Sequence, residues 1–337
     1  MLRCIAVEEA FVTKEIAAEW KSVLQKSDCE IGFKAMCNSI FAETPQNEIL
    51  HNRLYDIGLS RIEHMDKVGI DHQVLSLTSP GVQVFKPDTA IRLTTQANDS
   101  LAQAIKTFPE RFSGLGAVAP QDPIVSSREV GRLRSLGLSG VIINSHTFGD
   151  YLDLEKFYPL LEAIEAEGLP LYLHPREPSS QMINPYLDYG LYFAGWGFAA
   201  ETSLHAMRLI MSGTFERFPK LKIILGHMGE GIPFWLQRID NRYMLQVKIG
   251  SIKKLKRLPS EYFLENFYIT TAGVTSMPAL RLSLDVLGSD KVLFAADYPY
   301  EDDLEAVNFL QSAHLTEIER SLISYKNAER VFGIKSQ

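Results

Sequence analysis

The sequence predicts a single (β/α)8 TIM-like barrel over residues 1–337, with helical insertions after strands 1 and 5. Two observations predict it. Eight short runs rich in branched apolar residues are each closed by a loop signal, and segments with helical spacing lie between most of them. Continuously apolar strands alternating with helices imply parallel pairing buried on both faces. Eight such units fit a closed barrel at this length. An open doubly wound sheet is the competing architecture. It would usually carry a glycine-rich phosphate turn after strand 1, where this chain has Glu8-Glu9-Ala10-Phe11.

In chain order, the predicted strands cover residues 4–7, 73–77, 114–118, 140–143, 170–173, 221–225, 267–270 and 292–295. Ile91, Leu101, Ile105 and Phe108 mark one helix between them. Leu154, Phe157, Leu161 and Ile164 mark a second, ended by Gly168, and Leu280, Leu284 and Leu287 a third, ended by Gly288. The stretch 11–69 exceeds an ordinary connection and predicts extra helices, one over 60–68. The stretch 175–197, rich in Pro, Gly and aromatic residues, is a second long excursion. Long loops at the C-terminal mouth of a barrel carry substrate contacts, so both are expected to wall the pocket.

Composition narrows the function classes. The chain is 46% hydrophobic and 22% charged, as in an ordinary globular protein. Its net charge of −7 argues against non-specific nucleic-acid binding. Lys253, Lys254, Lys256 and Arg257 form a short basic stretch, expected to be a solvated helix face. Cys4, Cys29 and Cys37 contain no CxxC pair and suit a reducing compartment, so a cytoplasmic protein is expected. Met1 leads directly into the first strand, which leaves no room for a signal peptide. The most apolar stretch, 190–200, is too short to span a bilayer.

Four side chains stand out by position. His174, His227 and Asp297 each follow an apolar run, and Glu8 sits in the same way at the end of the first. A carboxylate at the barrel mouth is costly unless something compensates it. Glu8 or Glu9 could pair with Lys or Arg, and His174 could be a hydrogen-bonded core residue; metal ligation is the alternative in each case. Asp297, before Tyr298-Pro299-Tyr300, is held at the rim. His227 has Glu230 three residues on, able to fix its tautomer. His146 is a weaker candidate ligand after strand 4, and His205 is expected to pack. Glu8, His174 and Asp297 together offer one nitrogen and two oxygens with open positions. That set suits one divalent ion, Mg²⁺ or Mn²⁺ with Zn²⁺ also compatible. No lysine ends strand 4, so a carbamate-bridged metal pair is not expected.

The chain resembles the amidohydrolase superfamily in its metal-dependent decarboxylase branch. The resemblance rests on Val7-Glu8-Glu9-Ala10-Phe11, Arg61-Ile62-Glu63-His64-Met65-Asp66, Leu173-His174-Pro175-Arg176, Gly226-His227-Met228-Gly229-Glu230, Arg238-Ile239-Asp240, Asp297-Tyr298-Pro299-Tyr300-Glu301 and Asn327-Ala328-Glu329-Arg330. Within that branch it is most similar to 2,3-dihydroxybenzoate and γ-resorcylate decarboxylases. Ala10 stands where other relatives have a second histidine, which tilts the expected metal toward Mn²⁺ or Mg²⁺. The resemblance implies Glu8, His174 and Asp297 as metal ligands and Asp297 as proton carrier. It implies His227 and Glu230 flanking the substrate, Asn144 as a substrate contact, and Arg238 acting near the site, in its own or a neighbouring subunit. It further implies a homodimer or homotetramer that decarboxylates a small 2-hydroxybenzoate-type acid. A metal-dependent lactone or amide hydrolase on the same barrel is the alternative, and a catalytically silent binding barrel a second.

Overall fold

In the computed structural model, which describes residues 3–335, eight parallel strands form one sheet in the order of the chain. Met1, at the head of the predicted first strand, lies outside the described residues. The strands are β1 (Ile5–Phe11), β2 (His72–Leu77), β3 (Phe112–Ala117), β4 (Gly140–Asn144), β5 (Leu171–His174), β6 (Ile223–Leu225), β7 (Phe267–Thr270) and β8 (Val292–Leu293). Each pairs in parallel with the next. The two ends of the sheet also meet: Val7 N–H donates to Phe294 O at 3.1 Å and Ala10 N–H to Tyr298 O at 2.7 Å. An open sheet would leave those edges apart, so the barrel reading holds.

Strand β1 departs from its predicted limits. It continues to Phe11, so Glu8 lies inside the strand rather than at its tip. Its pairing with β2 slips by one residue between Ala6 and Glu9. A bulge of this kind locally re-aims side chains. β8 keeps its start and ends two residues early, and β6 starts two residues late.

The insertion after β1 contains the helices Lys14–Leu24, Ile31–Ile40, Pro45–Tyr55 and Leu59–Val68. Thr13 and Thr44 cap the first and third through their hydroxyls, and left-handed Gly69 (φ 86°) ends the fourth. The insertion after β5 is not helical as expected. It holds only two single 3-10 turns, Asn184–Tyr186 and Asp188–Gly190, before the helix Gly197–Met211. Pro175, Pro178, Pro185, Gly190 and Gly195 explain this, because neither residue type sustains a helix interior. The basic stretch is solvated but not helical: it follows the end of the helix Ile232–Lys248 and precedes the helix Pro259–Asn266.

Candidate active site

At the C-terminal mouth of the barrel, ligand atoms of Glu8, His174 and Asp297 lie within 4.8 Å of one another. The chain brings them there from β1, from the end of β5 and from the turn after β8. Each is held by identifiable contacts. Glu8 Oε2 accepts from Thr270 Oγ1 at 2.8 Å and from the Tyr172 hydroxyl. Its other oxygen, Oε1, is buried without a hydrogen-bond partner. Gly226 makes room for this carboxylate, since a Cβ there would lie 2.9 Å from Oε1. The Nδ1–H of His174 donates to Pro175 O at 2.8 Å, which fixes the tautomer and leaves Nε2 as a lone pair. That nitrogen stands 3.5 Å from Glu8 Oε1.

An imidazole lone pair and a buried carboxylate oxygen therefore face each other with a second carboxylate, that of Asp297, beside them. Acceptors in such an arrangement are compensated by a proton or by a cation. The residues fit one divalent ion, bound through one imidazole and two carboxylates with positions left open for substrate. The second ring nitrogen of His174 and the second oxygen of Glu8 are anchored by the chain, as in metal sites generally. Electrostatics agree with this reading. Burial pushes the Glu8 carboxyl up to about 7 and Asp297 adds to the effect, while His227 and the bonds from Tyr172 and Thr270 oppose it. Burial lowers His174 to about 4, so its imidazole stays neutral and able to ligate.

His227 and Glu230 occupy a left-handed turn after β6. His227, Met228, Gly229, Glu230 and Gly231 all have positive φ, between 50° and 78°. For the non-glycine residues such backbone is strained, and strain of this kind clusters at functional sites. It points His227 Nδ1 at Glu230 Oε1 (2.8 Å) and Nε2 at Asp297 Oδ2 (3.5 Å). Burial disfavours charge on His227, but Glu230, Glu8 and Asp297 outweigh it and hold its pKa well above the usual value. Those carboxylates thus favour the protonated ring. Asp297 itself sits at φ 61°.

A cavity of about 140 Å³ lies over these groups. It is lined by His174, His227, Asp297, Thr78, Ser79, Tyr300 and Glu301 from the barrel mouth. Met36 and Ile40 from the insertion after β1, and Phe193, Ala194 and Phe198 from that after β5, close it. Both long excursions thus wall the pocket, as the sequence predicts.

The remaining predicted residues lie elsewhere. Asn144 is buried at the end of β4, where its amide packs against Gly81 and donates to Leu77 O at 3.5 Å; it is not among the residues lining this cavity. Arg238 is exposed on the helix Ile232–Lys248 and lines a separate groove of about 720 Å³ together with Glu230, Trp196 and Trp235. His146 is consumed structurally, with Nε2 on Glu177 O and Nδ1 accepting from Gly149 N–H, both at 3.1 Å. His205 packs, as expected, bonding Leu152 N–H and Ser145. Sequence reasoning missed Tyr172 and Thr270, although a polar residue inside an apolar run, on the same strand face as His174 in the first case, was a usable signal.

Residues 50–334 match the family described as Amidohydrolase. The chain is 44% identical to 5-carboxyvanillate decarboxylase from Sphingomonas paucimobilis, with a TM-score of 0.96 over 99% of this chain and 100% of that one. A 5-carboxyvanillate decarboxylase from Novosphingobium aromaticivorans, solved with manganese and 4-hydroxy-3-methoxy-5-nitrobenzoic acid, is 39% identical with a TM-score of 0.96, covering 98% of this chain and 96% of its own. The γ-resorcylate decarboxylase of Polaromonas sp. strain JS666 is 37% identical over 85% of this chain and 90% of its own. With its barrel, its ion-ready carboxylates and these relatives, the chain belongs to the amidohydrolase family, in the branch of the metal-dependent hydroxybenzoate decarboxylases.

Proposed function

We propose that this protein removes a carboxylate, without redox chemistry, from an aromatic acid bearing a hydroxyl beside the departing group, and that 5-carboxyvanillate is the first substrate to test. The observation that carries the reading is the facing of His174 Nε2 and Glu8 Oε1 at 3.5 Å, with Asp297 closing the same space. Similarity to 5-carboxyvanillate decarboxylases at 44% and to γ-resorcylate decarboxylase at 37% ranks the candidate substrates. Two hard oxygens and one imidazole favour Mn²⁺ or Mg²⁺ over Zn²⁺.

Glu8, His174 and Asp297 hold the ion. When bound, that ion offers a positive centre for the carboxylate and phenol oxygens of the substrate. The chain supplies the rest. Asp297 carries a proton to the ring carbon that bears the carboxylate; the new C–H bond forms, the carbon–carbon bond then breaks, and its electron pair returns to the ring as CO₂ departs. Water restores the proton. His227, charged and oriented by Glu230, donates to the phenol oxygen and opposes the charge that builds there. Met36, Ile40, Phe193 and Phe198 cover the ring and exclude solvent.

The assembly belongs to the same reading. A second copy of the chain packs on the groove beside Arg238, where Trp196 and Trp235 are 61% and 51% exposed. A homodimer or homotetramer follows, with Arg238 placed at the junction; sedimentation of a Trp235→Glu variant as monomer against an oligomeric wild type checks it. A cytoplasmic location rests on three free cysteines. No helix among the described residues is long and apolar enough to cross a membrane.

The enzymatic test is incubation of Mn²⁺-loaded protein with 5-carboxyvanillate, 2,3-dihydroxybenzoate, 2,6-dihydroxybenzoate and salicylate, following ultraviolet absorbance and CO₂. Turnover of at least one acid is expected. Silence across the panel with hydrolysis of lactones would replace the reading by a hydrolase.

A further inference from the structure

We infer that Glu9 is a positioning residue that sets the direction of the Asp297 carboxylate by holding the peptide groups on both sides of it. The claim deepens the decarboxylase reading and rests on it for its catalytic part. Glu9 Oε1 accepts from Ala296 N–H at 3.0 Å, and Oε2 accepts from Tyr298 N–H at 3.3 Å. Those are the residues immediately before and after Asp297, and a single carboxylate spans them. Between its two oxygens, Asp297 is held at φ 61°, a left-handed conformation uncommon for residues other than glycine, although aspartate tolerates it better than most.

The clamp is itself anchored. Glu9 is fully buried. Gln73 Nε2 donates to Glu9 Oε2 at 3.3 Å, and Gln73 Oε1 accepts from Arg61 Nε at 2.7 Å. Arg61 is also buried, bonds Ala10 O at 2.9 Å, and has its guanidinium carbon 4.7 Å from the centre of the Tyr298 ring. Three N–H donors, from Ala296, Tyr298 and Gln73, face the Glu9 carboxylate. Successive side chains of β1 point to opposite faces, which gives the adjacent acids different partners. Glu8 meets Tyr172 and Thr270 from β5 and β7, whereas Glu9 meets the backbone after β8. One acid dipeptide thus provides a ligand and fixes the orientation of another.

The test variant is Glu9→Gln, whose amide nitrogen cannot accept the N–H it would face. Two readouts are made on folded, full-length protein: Mn²⁺ affinity by titration, and kcat and KM with the solvent deuterium isotope effect on the turned-over acid. Misdirecting Asp297 is expected to weaken Mn²⁺ binding at least about tenfold, the range for losing a group that orients a metal ligand. It is also expected to lower kcat with little change in KM and to raise the isotope effect, because proton delivery becomes slower. If the variant melts earlier but binds Mn²⁺ and turns over as the wild type does, Glu9 is a fold residue only and the inference is overturned. Should Glu9→Gln fail to fold, Gln73→Met keeps the carboxylate while freeing it to swing. The same two shifts, smaller in size, are then expected, and their absence overturns the inference. The Mn²⁺ arm needs no substrate, so an inactive wild type would count against the decarboxylase reading and leave the Glu9 result standing.

Discussion

Two buried clusters of charge flank strand β5, and they solve the same problem differently. The first is the Glu8, His174 and Asp297 group with His227 and Glu230. The second lies behind the loop after β5, where Arg176 bonds Glu177, Glu30 (3.3 Å) and His146 O (3.1 Å). Beside it, Glu201 accepts from Ser145, Tyr151 and the Ser179 N–H. Here the chain supplies its own cation, fully buried among the acids it serves. Each cluster leaves one carboxylate oxygen without a hydrogen-bond partner, Glu177 Oε2 and Glu8 Oε1. But Glu177 bonds Arg176 through its other oxygen, whereas Glu8 Oε1 faces the lone pair of His174 Nε2 at 3.5 Å. Burial of charge is thus common to both. What marks the functional one is charge that the chain leaves for something else to balance.

The comparison can be broken at several points. Asp297→Asn removes the acid proposed to carry the proton while keeping the shape, and turnover should fall on the order of 10²–10⁴-fold; near-normal kcat would take Asp297 out of the reaction. Arg176→Met tests the other cluster. It strands Glu30 and Glu177 with no counter-charge, so denaturant unfolding should show a loss of roughly 3–5 kcal/mol. Added Mn²⁺ should not restore it to wild-type stability, because that cluster is not built for an ion.

Gly226→Ala should weaken Mn²⁺ binding about 10–100-fold by pushing Glu8 out of line. Elemental analysis after dialysis reads the loss, with Glu8→Ala as the reference for removal of a proposed ligand. The smallest effect concerns pH. Glu8 is raised to about 7, so metal binding below that pH must expel its proton, while His174, lowered to about 4, stays neutral throughout. Apparent Mn²⁺ affinity should climb as pH rises toward about 7 and then level off. For the metal-free protein the sign reverses: a folded-state pKa above the unfolded value means that the native state holds the extra proton. Stability from Glu8 is then present at low pH and lost as pH rises through about 7. Urea titrations of metal-free protein at pH 5 and pH 8 check that direction.

Much of this was legible in the linear chain because barrels repeat a simple pattern. A parallel strand buried on both faces reads as a near-continuous apolar run, so β5 and β7 announce themselves within a residue or two. A polar residue just beyond such a strand is at the mouth by geometry alone, which is why His174, His227 and Asp297 could be found. Glu8 was found for a partly wrong reason. It lies within β1, whose register against β2 slips at this point through a bulge that no local pattern signals. Asn144 ends its strand as expected, yet packs against Gly81 from the loop after β2.

The amino-acid sequence by itself determined the alternation of elements, the closing of the site by the two long excursions, and the residue types available for an ion, because each depends on periodicity or on local chemistry. Only the tertiary structure decided which oxygen of Glu8 is left without a partner, which peptide groups Glu9 grips, and that Arg238 opens onto a different groove from His227. Those outcomes depend on distances between segments up to 289 residues apart in the chain, and no local preference encodes such distances before the barrel has closed.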